Sequence, residues 1–353
     1  MLKIDDTKQH EQLKELRDDG NTVWSISRLN NYNTCPLGYY LTYLAPDRDR
    51  GIQNIYSHAG SIIHDTLEQI HIDNTLNEQV ELKKSLQNIY TDKLFDDNLN
   101  FPKSKDGSDT IENNWVNSMK HFANNFKKLP FHAETEKLFV YEIFPNTYIQ
   151  GYIDIVTTGK NGKIQVLDWK TSSRFTGQKK IEAGRQLVLY KLAVEEVFGL
   201  EVDKVGWYML KYARVHYGKR SKMVDRGKWV EQMASQIETQ LLKVYSNELT
   251  ARFALKEAVE NNSIETLPQS VRDYFRVEPL IEYYEVGDKE IEELKTYIKQ
   301  TIHRISNDFM FNPVYIDYKN AFFCSNLCSQ RYKCPSYERY QKELEEKKEF
   351  DNK

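Results

Sequence analysis

Two aspartates placed symmetrically about a turn constrain this chain more than any other feature. Lys160-Asn161-Gly162 is a turn signal between two runs rich in β-branched and aromatic residues, Tyr148–Thr157 and Lys163–Thr171. A hairpin centred on Asn161 sets Asp154 opposite Asp168, because both lie seven positions from the centre. Directly opposed residues share a face, with Cβ atoms about 4.5–5.5 Å apart. Lys170, two residues beyond Asp168, belongs to that face as well. Ile153, Ile155, Leu167 and Trp169 are then expected to point the other way, into a core.

Opposed carboxylates repel, and the arrangement costs stability unless a cation lies between them. Mg2+ meets that need, bound through one or two carboxylates and the oxygens of a substrate phosphate. Lys170 is then placed to stabilise charge on a scissile phosphate or to orient the attacking water. The bland alternative is an exposed hairpin face carrying a surface salt bridge, since short motifs recur by chance.

Other groups bear on that choice. Gln186 and Tyr190 are four apart on the next helical stretch, hence on one face, and can bind a phosphate or hold the lysine. Such residues also commonly decorate a half-buried helix. His64 lies in a helix whose Ile63, Leu67 and Ile70 form a buried stripe, a setting in which histidine is more often a structural hydrogen-bonder than a ligand. Glu142, on the strand before the hairpin, is a further carboxylate that could serve an ion, though nothing requires it.

Only four cysteines occur, Cys35, Cys324, Cys328 and Cys334, three of them close together. In a reducing compartment that pattern reads as metal ligation rather than disulfides. Four thiolates suit an iron–sulfur cluster or zinc. Structural zinc usually takes paired knuckles, whereas here one ligand stands alone far upstream. Closing a loop of roughly 290 residues in this way removes much unfolded-state entropy, so the expected role is structural.

The rest of the chain reads as helices, three strands, a helix, a strand and more helices, an α/β core in a mostly helical shell. Residues 1–22 are a charged lead-in, and Ser25 caps a short helix towards Cys35-Pro36. Ser57 to Leu129 is helical, broken near Asn100–Gly107, and Leu138–Pro145 precedes the hairpin as a strand. Ile181–Phe198 returns to helical spacing and stops at Gly199, and Val205–Tyr217 is strand-like. Residues 229–262 and 287–309 read as helices, with an extended piece around Leu280–Val286.

The formal charge of −3 gives no global basic field. Local attraction to DNA is expected from Lys211 to Lys228, where Lys211, Arg214, Lys219, Arg220 and Lys222 are interleaved with Tyr212 and Tyr217. An ordinary solvated loop is the alternative. The polar start MLKIDDTKQHEQ lacks a signal peptide's apolar core, and no run approaches the roughly 18–20 apolar residues of a membrane span. A cytoplasmic protein with no membrane partner is expected.

Together these residues resemble the RecB-like branch of the PD-(D/E)XK nuclease superfamily. The nearest likeness is to its iron–sulfur members, the CRISPR-associated adaptation exonucleases and the AddB-type helicase–nuclease subunits. The shared elements are the histidine helix (His64), Gly151 to Asp154, Asp168 with Lys170, Gln186 with Tyr190, and the one-plus-three cysteines. The three residues between Cys324 and Cys328 depart from the two expected in many relatives.

The resemblance implies a restriction-endonuclease-like core sheet flanked by helices. It also implies Mg2+ or Mn2+ held by His64, Asp154, Asp168 and the main-chain carbonyl of Trp169. Lys170 would be the catalytic lysine, Gln186 and Tyr190 its support, and the four cysteines the ligands of a 4Fe-4S cluster, with zinc as the rival occupant. The chain then divides into a lead-in (1–22), an iron–sulfur clasp (23–56 and 311–340), a helical region with His64 (57–135), a nuclease core (136–217), a helical or mixed region (218–310) and a charged tail (341–353).

The activity implied is metal-dependent hydrolysis at linear, wholly or partly single-stranded DNA ends, in recombination, repair or spacer-type processing. No GxxxxGK[ST] motif is present, so unwinding would come from a helicase or a recombination or adaptation partner. The alternatives are a catalytically weak DNA-binding subunit of a helicase or integrase complex and a structure-specific endonuclease.

Overall fold

In the computed structural model, which describes residues 2–129, 132–159 and 161–351, the acidic strands lie inside one seven-stranded mixed sheet. Its strands are β1 (Val23–Trp24), β2 (Ala133–Phe144), β3 (Thr147–Thr158), β4 (Ile164–Lys170), β5 (Val202–Tyr217), β6 (Arg220–Asp225) and β7 (Phe275–Tyr284). β3 pairs antiparallel with β4 from Ile155↔Leu167 to Thr158↔Ile164, the register that counting from Asn161 predicts. One further step in that register sets Asp154 against Asp168. Lys160, the first residue of the expected turn, lies outside the described residues.

The helices follow the sequence periodicity closely. α1 (Thr7–Asp18), α2 (Ile26–Thr34), α3 (Pro36–Tyr43), α4 (Ile55–Ile72), α5 (Glu78–Phe95) and α6 (Thr110–Asn125) precede β2. Ser25 caps α2 as expected, its hydroxyl accepting from the Arg28 amide at 3.1 Å. α7 (Gln178–Glu196) joins β4 to the parallel β5, the crossover that parallel pairing demands. Beyond it, Gly199 has φ 66° and lets the chain leave the helix. α8 (Trp229–Gln232), α9 (Ala234–Val244), α10 (Glu248–Glu260) and α11 (Gln269–Arg272) come next, then α12 (Asp288–Ser306) and α13 (Pro335–Asp351).

Helices cover both faces of the sheet. On one face α2, α3, α7 and α12 bury Leu29, Leu187, Tyr190 and Ile298 against Val156, Val166 and Trp207. On the other, α4, α5 and α6 bury Ile63, Leu67 and Met119 against Ile155, Leu167 and Trp169. Each such aliphatic side chain contributes roughly 1.5–3 kcal/mol when fully buried. α8 to α11 make a third core against the far end of β5.

Two expectations need correction. Ile153 packs with the first core, not with Ile155, Leu167 and Trp169. The β2–β3 ladder pairs Thr135 with Ile155 and Lys137 with Ile153 but skips the step between, where Glu136 has a left-handed φ of 49°. The alternation of faces shifts at that step. The solvated-loop alternative for the basic stretch is set aside as well. Tyr217 pairs with Arg220 across a two-residue turn opened by Gly218 at φ 55°, so the stretch is a hairpin of β5 and β6.

The lead-in is anchored. Leu13 is buried beside Leu138 and Val140, while Asp6 and Gln9 accept the amides of Leu138 and Val140 at 2.9 and 2.8 Å. α1 thus caps the outer edge of β2, satisfying amides that no further strand would take.

Candidate active site

The ladder between β3 and β4 opens just where the two aspartates meet. Asp154 Oδ2 accepts a hydrogen bond from the Trp169 amide at 3.0 Å. Lys170 Nζ lies 2.9 and 2.7 Å from the two oxygens of Asp168 and also donates to Gln186 Oε1 at 3.2 Å. Gln186 Nε2 donates to the Tyr190 hydroxyl at 2.7 Å, which reaches back to Asp154 Oδ1 at 3.5 Å. Six residues from β3, β4 and α7 are therefore linked in one chain of polar contacts, from the Trp169 amide through Asp154, Tyr190, Gln186 and Lys170 to Asp168.

α4 supplies the histidine. His64 Nδ1 lies 3.3 Å from Asp154 Oδ2, and its ring meets Trp169 edge-on at 5.8 Å. Burial lowers its pKa, against the pull of Asp168, so the ring tends to stay neutral and keep a lone pair for a ligand. His64, Asp154, Asp168, Trp169, Lys170, Gln186 and Tyr190 all converge here.

Gly151 shows why this strand needs glycine three residues before Asp154. A Cβ there would meet two ring atoms of Phe139 at 2.9 Å. Bare backbone at Gly151 lets β2 and β3 close over that ring.

Charge is held at high cost. Asp168 is fully buried and Asp154 is 6% exposed. Burial pushes Asp168 up to about 7, with Lys170 pulling it down and Asp154 pushing it up. Burial likewise raises Asp154 to about 6, opposed by Lys170 and reinforced by Glu136. Burial alone would lower Lys170, yet Asp168 and Asp154 hold it above its ordinary value. Buried carboxylates that resist ionisation favour a cation that would compensate them.

Sequence reasoning passed over one group. Glu136 faces Asp154 across the skipped step of the β2–β3 ladder. One ligand atom each from His64, Glu136 and Asp154 lies within 4.8 Å of the others, the one such group of three among the described residues. Burial, then Glu68, Asp65 and Asp168, pushes Glu136 up to about 7. Glu142, the carboxylate noted on this strand, instead accepts the Asn146 amide at 2.8 Å and tightens the β2–β3 turn.

A family model described as the PD-(D/E)XK nuclease superfamily matches residues 23–335. The chain belongs to that superfamily. No curated protein matches it. The sheet flanked by helices is consistent with the PD-(D/E)XK fold, and membership supports a nuclease, in a superfamily whose members use divalent metals. Among the described residues no helix is long and apolar enough to cross a membrane.

The candidate DNA contacts are spread out rather than gathered at this PD-(D/E)XK site. Lys211 lies two residues past Met209, which pairs with Lys170, and burial lowers its pKa. Arg214 reaches Ser221 at 3.5 Å, and Lys222 donates to the Gln232 carbonyl at 2.6 Å. Lys219 and Arg220 line a 220 Å³ cavity with Tyr217, Tyr274 and α9. That hairpin tip lies roughly 26 Å from Met209 at about 3.3 Å per residue of β5.

Residues 49–54 meet residues 327–330. The Ile52 amide donates to the Ser329 carbonyl at 2.9 Å, Asn54 to the Leu327 carbonyl at 3.0 Å, and Gln330 to the Asp49 carbonyl at 2.9 Å. Cys35 and Cys334 each precede a helix that begins with proline, α3 and α13. Burial pushes the Cys324 thiol up to about 11, and the charges of Cys328, Cys35 and Cys334 add to that push. No three of the four sulfurs fall within 4.8 Å of one another.

Proposed function

We propose that this chain is a metal-dependent DNA exonuclease of the RecB-like branch, working at DNA ends in recombination, repair or spacer-type processing in the cytoplasm. The observation that supports it best is the convergence of His64, Asp154, Asp168 and Lys170 on one buried face. The donor set, one neutral imidazole and carboxylates opposite one another, suits Mg2+ or Mn2+. Such an ion would neutralise phosphate charge and lower the pKa of water.

The chain's own groups do the rest. Lys170 Nζ is aimed from the Asp168 side and can shift its hydrogen bonds to a non-bridging phosphate oxygen as charge grows there. Gln186 holds that ammonium in place, and Tyr190 orients Gln186 and Asp154. His64, Asp154 and Asp168 would hold the ion, with the Trp169 carbonyl as a further donor. Lys211, beside the site, and Arg214, Lys219, Arg220 and Lys222, further along the β5–β6 hairpin, would neutralise phosphates of the bound strand.

For the cysteines we propose a 4Fe-4S cluster clasping residues 23–56 to 311–340, within the sequence divisions given above. Structural zinc sites usually take paired knuckles, whereas here Cys35 stands alone far upstream of Cys324, Cys328 and Cys334. Anaerobically purified protein should carry about four irons and four sulfides per chain, and stoichiometric zinc instead would overturn the assignment.

The activity itself is tested on end-labelled linear and closed circular DNA, single- and double-stranded, with Mg2+ or Mn2+. Loss of linear DNA alone supports the exonuclease. Cutting of circles moves the reading to an endonuclease. Binding without cutting would make the chain a DNA-binding subunit for a helicase or integrase partner.

A further inference from the structure

A cavity of about 720 Å³ lies between α5 and α6, with Ile55, the first residue of α4, in its floor. Small-molecule sites commonly have this size, roughly 300–1,000 Å³. None of the residues lining it belongs to the acidic site. Its floor is apolar, made by the buried Ile55, Ile89, Phe101, Trp115 and Ala123. Its rim is polar, with Lys83, Gln87, Asn113, Lys120 and Asn124 all exposed.

The two ends of the cavity differ in charge, and the direction of the helices decides how. Lys93, near the end of α5, is ion-paired with Glu112, near the start of α6, so the two helices run antiparallel. Lys83, ten residues earlier on α5, therefore faces the Lys120 end of α6, roughly 15 Å from the ion pair at 1.5 Å per residue. Among the described residues that line the cavity Glu112 is the one carboxylate, and Lys93 neutralises it. Lys84, not Lys83, is the lysine that pairs with Glu81. Two ammonium groups thus share one end of the cleft without a counter-charge, and an anion there relieves their repulsion.

Aromatic rings gather at the opposite end. Phe101 packs on Trp115 with ring centroids 5.3 Å apart, and the Lys93 ammonium lies 5.8 Å from the Phe101 ring. Tyr90, one turn before Lys93, and Asn113, next to Glu112, line the same end. A flat ring placed there meets aromatic faces and an amide that offers both a donor and an acceptor.

We propose that this cavity binds a nucleotide, with its phosphate between Lys83 and Lys120 and its base at the Phe101–Trp115 end. Lysine serves phosphate as a point charge, and any base can stack on an aromatic ring. A fatty acid fits less well, since the end away from the lysines carries rings and amides rather than an aliphatic channel. The same chemistry reaches the cavity from two sources, a free mononucleotide or the terminal nucleotide of a DNA strand. Binding alone is at issue, so the proposal stands apart from the nuclease reading.

The test is calorimetric titration of the full chain, without Mg2+ or Mn2+, with dAMP, deoxyadenosine, inorganic phosphate, decanoate and a 5′-phosphorylated oligonucleotide. A single dAMP should bind, at least about tenfold tighter than deoxyadenosine or phosphate alone. Combining Lys83→Ala with Lys120→Ala should weaken dAMP at least about tenfold, the scale of lost charge-assisted hydrogen bonds. Both lysines are exposed, so their loss spares the core. Val116→Trp fills the cleft from a half-buried position on α6 and should abolish dAMP binding, with circular dichroism checking the fold.

Oligonucleotide binding that responds to the same substitutions would make a strand end the source, and binding of dAMP alone would make it the free nucleotide. Decanoate bound in place of dAMP, phosphate alone bound as tightly, or no binding at all would overturn the proposal. Binding of dAMP that survives these substitutions but is lost in Lys170→Ala would place the nucleotide in the acidic site and overturn it as well.

Discussion

The pKa of Asp168, raised to about 7 from 3.8, makes the metal-free protein sensitive to pH in a defined direction. The folded state keeps the proton on Asp168 where the unfolded chain has already lost it. That contribution is complete below about pH 3.8 and is lost as pH rises through about 7. Between pH 5.5 and 7 the loss is about 2 kcal/mol, taking about 1.4 kcal/mol per unit. For 353 residues, at about 2.1 cal/mol/K each, this amounts to a fall in Tm of roughly 3 °C.

Buried histidines such as His121, depressed to about 3 by burial, act in the opposite sense as pH falls, so the readout must be a difference. Thermal unfolding in chelator, followed by circular dichroism, should show wild type losing about 3 °C more than Asp168→Asn from pH 5.5 to 7. Above pH 7 the difference should level off. Mg2+ should restore more stability at pH 8 than at pH 5.5, because the ion needs the carboxylates ionised. An equal slope in both proteins, or a wild type relatively stabilised by rising pH, would refute this view of Asp168.

Gly151→Ala should destabilise the chain by about 1–3 kcal/mol in urea unfolding, since the new methyl enters the Phe139 ring. Gly51→Ala drives a Cβ into the Ser329 carbonyl at φ 67°, so it should part residues 49–54 from 327–330 and lower the iron content of purified protein. Tyr190→Phe removes one buried hydroxyl between Gln186 and Asp154 and should slow DNA cleavage about fivefold, on the scale of roughly 1 kcal/mol per hydrogen bond.

Much of the site was legible because side-chain alternation and turn position together fix a hairpin's register. Asn161 lies midway between Asp154 and Asp168, and the ladder obeys that count. Helical spacing likewise put Gln186 and Tyr190 on one face, and they do touch. Glu136 was hidden by an irregularity. Thr147 pairs with Phe144, but Tyr148 pairs with Glu142, and this one-residue shift brings Glu136 rather than Lys137 opposite Asp154. A count from the Pro145-Asn146 turn alone gives the wrong residue. β6 escaped because charged residues dominate its exposed positions, and only Gly218 marked the turn.

The most direct measurement compares wild type with Lys170→Ala for cleavage of linear DNA in Mg2+ or Mn2+ and in chelator. If the β3–β4 hairpin is the active site, wild-type cleavage requires the ion and the substitution slows it on the order of 10²- to 10³-fold. Cleavage that persists in chelator, or at an unchanged rate in Lys170→Ala, would mean the chemistry lies elsewhere in the chain.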